Sequence, residues 1–110
     1  MTLQEIVNEL GLEVLAGESN LLRQVTGGYA SDLLSCVMAG AKTGNLWVTM
    51  QGHPNVAAVA SLLNLAAVVV SEGSPVDPVT IQKAEENGVV LLSTPLDTFT
   101  TVSKLAALGV

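Results

Sequence analysis

Five consecutive apolar residues, Ala66-Ala67-Val68-Val69-Val70, limit what this chain can fold into more than any other stretch. Valine favours extended backbone. A run with no polar alternation suits a strand that is covered on both faces, as in the middle of a parallel sheet. The segments around it fit that setting. Leu46-Trp47-Val48-Thr49-Met50 is strongly β, and an alanine-rich helix is expected over residues 54–64, with Pro54 in its first turn. Ser71-Glu72-Gly73-Ser74-Pro75 is loop, and Asp77-Pro78 opens a helix that Asn87-Gly88 ends. Val89-Val90-Leu91-Leu92 is the last strand. Asp97 or Thr98 then caps a final helix carrying Phe99, Val102, Leu105 and Leu108. Strands and helices that alternate through short loops predict an α/β layered sheet with right-handed parallel crossovers.

The first 40 residues are less regular. Thr2-Leu3-Gln4-Glu5 reads as a capping box, with Leu3, Ile6, Val7 and Leu10 at helical spacing and Gly11 as the stop. Glu13 to Gly17 is a short strand. Val25-Thr26 is expected on a second strand that ends at Gly27-Gly28, where two glycines permit positive φ or close backbone approach. Ser31 is the expected N-cap of the following helix, with Asp32 at its positive end. Leu33, Leu34, Val37 and Met38 form its apolar face, and Cys36 is expected to be a small buried residue.

Composition bears on partners. The chain is 49% hydrophobic and only 13% charged, where about 25% charged is usual. For 110 residues, read as one domain (1–110), that leaves apolar surface for another subunit, so a homodimer or other homo-oligomer is expected. The formal charge is −6, and the four basic residues, Arg23, Lys42, Lys83 and Lys104, are scattered. Nucleic acid and anionic membrane surfaces require clustered bases and are excluded as partners. One cysteine allows no internal disulfide. No leader is evident, and no apolar run reaches the ~18–20 residues of a membrane helix. A cytoplasmic location is expected.

In open α/β sheets ligands gather at the carboxyl ends of strands. Four segments are expected there, and they supply the candidate ligand-binding residues: Thr26, Gly27, Gly28, Thr49, Gly52, His53, Gly73, Thr94 and Asp97. Two readings of these loops stand side by side. Backbone N–H groups at helix N-termini would suit a small anionic ligand, or the loops are ordinary strand-to-helix turns with capping residues. His53 has no second ligand at a recognisable spacing, so no metal is assigned. Nothing places a base beside the Cys36 thiol, so no catalytic residue and no cofactor are assigned.

Taken together, these segments resemble the DRTGG domain, a module found in phosphate acetyltransferases and, between CBS domains, in some inorganic pyrophosphatases. Thr2 to Val7 followed by Leu12 to Gly17 is similar to the opening of the N-terminal domain of HPr kinase/phosphorylase. Val25-Thr26-Gly27-Gly28 stands where the naming motif belongs. Gly44-Asn45-Leu46-Trp47-Val48-Thr49, Ala67 to Gly73, and Leu91-Leu92 with Asp97-Thr98-Phe99 resemble later segments of the family. The order also resembles the UDP-sugar-binding N-terminal domain of Mur ligases. Two departures stand out. The motif's Asp-Arg is Gln24-Val25 here, and Thr49-Met50-Gln51-Gly52-His53-Pro54 lacks the acid–base pair of phosphate acetyltransferases.

The resemblance implies a three-layer α/β/α sandwich with a mixed, mostly parallel sheet of about five strands. It implies a non-catalytic regulatory or ligand-sensing domain that self-associates and serves a metabolic or hydrogenase-linked enzyme system. The alternative is a pure protein-interaction or assembly module with no small-molecule ligand.

Overall fold

The computed structural model covers residues 1–110. Five strands form one mixed sheet: β1 (Glu13–Ala16), β2 (Gly27–Ala30), β3 (Asn45–Thr49), β4 (Ala67–Val70) and β5 (Leu91–Ser93). Five helices accompany them: α1 (Leu3–Leu10), α2 (Leu34–Gly40), α3 (Asn55–Leu62), α4 (Pro78–Glu86) and α5 (Thr98–Ala107). The spatial order is β1-β5-β4-β3-β2. Strands β2 to β5 are parallel, and β1 joins β5 antiparallel. The α/β layered sheet expected from the sequence is therefore present, with β4 at its centre.

The layering follows from the connections. From β2 to β5 each strand is laid beside the last in one direction. Right-handed crossovers then place α2, α3 and α4 on the same face. Their inward residues, Val37, Val56, Ala57, Ala60 and Ala84, share a core with Trp47, Val68, Val70 and Leu91. The opposite face takes α1 and α5, whose Leu3, Ile6, Val7 and Leu105 pack with Leu46, Val48, Ala67, Val69, Val90 and Leu92. Alternate residues of one strand thus serve two cores. That is why β3 and β4 are buried at every position, and why β4 and the middle of β3 read as apolar runs.

The expected caps of α1, α4 and α5 are in place. Glu5 N donates to Thr2 Oγ1 while Thr2 N donates to Glu5 Oε1, and Gly11 (φ 65°) ends α1 in the left-handed region. Asp77 accepts from Val79 N, and Asp97 from Thr100 N.

Three local expectations are corrected. Gly27 and Gly28 begin β2 rather than end it, and neither has positive φ. Pairing with Asn45 and Leu46, not intrinsic propensity, makes them a strand. Helix α2 starts at Leu34 with Leu33 as N-cap and no side-chain cap; the Ser31 hydroxyl instead accepts from Leu33 N one turn earlier. Only Val37 of α2 is buried, so Leu33, Met38 and Cys36 lie on its exposed side. The helix is short and lies over the edge strand β2, which leaves little to bury it.

Candidate functional site

The expected site residues fall into two groups at opposite ends of the sheet. Thr26, Gly27 and Gly28 lie at the amino end. The Thr26 hydroxyl donates to the Thr43 carbonyl (2.9 Å), and Gly27 pairs with Asn45, the first residue of β3. Thr49 ends β3, and Gly52, His53, Gly73, Thr94 and Asp97 lie in the segments that follow β3, β4 and β5 at the carboxyl end. No single site holds both groups. The placement of Gly27-Gly28 at a strand end was the step that joined them in the sequence.

At the carboxyl end the chain diverges between neighbouring strands. The loop after β4 leads to α4 on one face, and the loop after β5 leads to α5 on the other. Divergence of this kind opens a crevice, the usual ligand position in an α/β sheet. Here it borders a recess of about 590 Å³ lined by Gly73, Ser74, Ser93 and Thr94, with Glu13 of β1 at its side.

Much of the crevice is stitched by the chain itself. Glu72 N donates to the Leu96 carbonyl (2.7 Å), and Gly73 N to the Thr94 carbonyl (3.0 Å). The Ser71 and Thr98 hydroxyls meet at 2.8 Å. Glu72, with φ 67° in the left-handed region, turns its carboxylate onto Thr98 N (2.6 Å). Asp97 Oδ1 accepts from Thr100 N (2.6 Å). That backbone bond, with the Thr100 side chain second, holds the Asp97 carboxyl below its ordinary value. Two carboxylates therefore occupy the amino end of α5, where an anionic ligand would otherwise dock.

The other strand ends are tied down in the same way. Asp32, expected to serve the α2 dipole, instead accepts from the Thr49 hydroxyl and Met50 N, both at 2.8 Å. The Gly52 carbonyl accepts from Asp77 N (3.1 Å) and the Thr80 hydroxyl (2.7 Å). Gly52 is needed for a close approach: a Cβ there would overlap the Pro75 carbonyl and lie 2.8 Å from Val76 Cα. His53 is exposed, and its Nδ1 accepts from Asn55 N (3.1 Å), so it serves the first turn of α3. No group of three or more His, Cys, Asp or Glu side chains is arranged to hold a metal.

A third feature was only partly visible in the sequence. On α5, Phe99 is 85% exposed and Val102 37%, and Val102 lines a small apolar depression of about 140 Å³ with Gly28, Ala30 and Val110. Two helices cannot cover one face of five strands, and β2 is the strand left bare. The i, i+3 spacing of Phe99 and Val102 marked a helix face, but it did not say that the face is unpaired.

The DRTGG domain family model matches residues 5–108. The chain belongs to the DRTGG domain family. Among solved structures, it is similar to the CBS and DRTGG domains of the regulatory region of Clostridium perfringens pyrophosphatase, solved with its activator diadenosine tetraphosphate. The TM-score is 0.75 at 17% identity, over 93% of this chain and 44% of the pyrophosphatase chain. At that identity the likeness concerns the fold. None of the curated proteins matches the sequence. The stretch Gln24 to Gly28, where the family's naming motif belongs, is thus an amino-end feature of this DRTGG fold. No helix is long and apolar enough to cross a membrane.

Proposed function

We propose that this DRTGG domain is a non-catalytic regulatory module that acts by pairing with a second copy through α5 and the bare face of β2. Exposure of Phe99, about one turn before the Val102 that lines the Gly28–Ala30 depression, carries this reading. An aromatic ring left in water on a helix face, next to an apolar hollow, is the chemistry of a subunit contact. A twofold axis beside β2 would let each Phe99 cover the other copy's hollow, so one patch would serve as both halves of the contact. The enzyme it serves, on the resemblance, belongs to a metabolic or hydrogenase-linked system.

Small-ligand sensing is the second reading, and two observations favour it. The chain diverges between β4 and β5 beside the recess at Gly73 and Thr94. The pyrophosphatase regulatory region of the same fold carries a nucleotide activator. In this chain the self-capped α5 weighs against the small anionic ligand expected from the sequence.

Sedimentation equilibrium tests the first reading. The wild-type chain is expected to dimerise at micromolar concentration. Phe99→Glu is expected to be monomeric with an unchanged circular dichroism spectrum. A monomeric wild type overturns the reading.

A further inference from the structure

At the amino end of the sheet, β3, β4 and β5 begin where α3 and α4 stop. Between them lies a recess of about 340 Å³, far from the stitched crevice. That volume is within the range of small-molecule sites. Its rim is chemically distinct. Thr43 and Asn64, both exposed, and the half-buried Ser61 line it, and no intrachain hydrogen bond engages their side chains, which meet only water. Asn87 gives its Nδ2 to the Lys83 carbonyl, which leaves Oδ1 free to accept. Arg23 gives Nη2 to the Gly88 carbonyl (2.8 Å), and its remaining N–H groups are unspent. The floor is apolar, from Ala60, Leu65 and Val89.

The charge balance decides the ligand class. No carboxylate lines the recess, although the chain carries ten acidic residues against four basic ones. Arg23 contributes one positive charge. The carboxyl ends of α3 and α4 each contribute about −0.5, so the recess is close to neutral. With those charges offset, neither sign of ligand charge is strongly favoured. Amides and hydroxyls with unspent donors and acceptors suit a neutral molecule that presents both around its edge.

We propose that this recess binds a small uncharged ring rimmed with hydrogen-bond donors and acceptors, held between the Asn64 and Asn87 amides and the Ser61 and Thr43 hydroxyls. Neutral nucleosides and monosaccharides share this chemistry. The site lies away from the α5 and β2 face and stands independently of the self-association reading.

Backbone amide shifts of the full chain, titrated with adenosine, guanosine, cytidine, uridine, glucose and galactose, test it. At least one of these is expected to move the amides of residues 43, 61, 64 and 87 together, and the arm that does so identifies the source. Asn64→Gly is the informative variant. Asn64 has φ 53°, which glycine adopts freely, so the fold is kept while the amide is removed. Its affinity is expected to fall about tenfold, the scale of one or two lost hydrogen bonds. Ser61→Ala provides a second, conformationally neutral variant with the same direction. The proposal is overturned if no compound moves these amides at millimolar concentration. It is overturned equally if both variants bind as the wild type does.

Discussion

At the carboxyl end of the sheet, Asp32, Glu72, Asp77 and Asp97 each hold a backbone N–H of this chain. At the amino end, the Asn64 amide and the Ser61 and Thr43 hydroxyls hold none, and the glycines of the family motif lie on an open edge strand. The carboxyl end is the place where α/β sheets ordinarily bind ligands, yet here its polar groups are largely spent on the fold. The difference teaches that strand-end position supplies a site only if the helix termini there remain unsatisfied. A chain that caps its own helices with carboxylates converts a binding end into a structural one.

Glycine substitutions break the comparison most sharply. At Gly52 any Cβ meets backbone of the 75–76 segment, which cannot swing aside as a side chain would. Gly52→Ala is expected to cost about 1–3 kcal/mol or more in urea unfolding. At Gly28 the nearest atoms to an added Cβ are Val110 Cγ1 at 3.4 Å and the Leu46 carbonyl at 3.6 Å, ordinary contacts in an open setting. Gly28→Ala is expected to stay within about 0.5 kcal/mol of wild type. Equal costs at the two positions would remove the distinction between a built end and an open one.

Asp32 gives the next effect. Its carboxylate is exposed but accepts from both the Thr49 hydroxyl and Met50 N. Asp32→Ala is expected to destabilise by about 1–2 kcal/mol, the lower part of the range for hydrogen bonds to a charged group, because water competes. Asp32→Asn should recover part of it, since the amide oxygen still accepts. Wild-type stability in both variants would show that the Asp32 side chain is dispensable to the end of β3.

Much of this was legible in the sequence, for a physical reason. Features set by neighbours along the chain could be read: the capping box at Thr2, the caps at Asp77 and Asp97, and the strands whose two buried faces leave no polar alternation, as at 67–70. Features set by partners far along the chain could not. Gly27-Gly28 is a strand because Asn45 and Leu46 lie beside it. Glu72 caps a helix whose first residue is 26 positions later. Cys36 is exposed because nothing else covers α2. The candidate site suffered most, since its two halves were joined only by the assumption that the glycines end their strand.

The smallest effect is a pH dependence, and its sign follows from Asp97. The Thr100 backbone N–H, with the Thr100 side chain second, lowers the Asp97 carboxyl from its ordinary 3.8. Below that ordinary value the unfolded chain takes up the proton first, so the folded state binds fewer protons. The stabilisation is therefore present above 3.8 and is lost as pH falls through the folded value. Glu5 behaves alike, lowered from 4.5 by the Thr2 backbone N–H and then the Thr2 hydroxyl. Melting temperatures followed from neutral pH into this acid window should fall for the wild type. Asp97→Asn keeps an N-cap acceptor but does not titrate, so it should be slightly less stable than the wild type at neutral pH and lose less on acidification, the two converging in acid. If the two curves stay parallel, the carboxylate at the start of α5 contributes no more than an uncharged cap would. The amino end of α5 would then be electrostatically open after all, and the anionic ligand expected at the carboxyl end would regain its place.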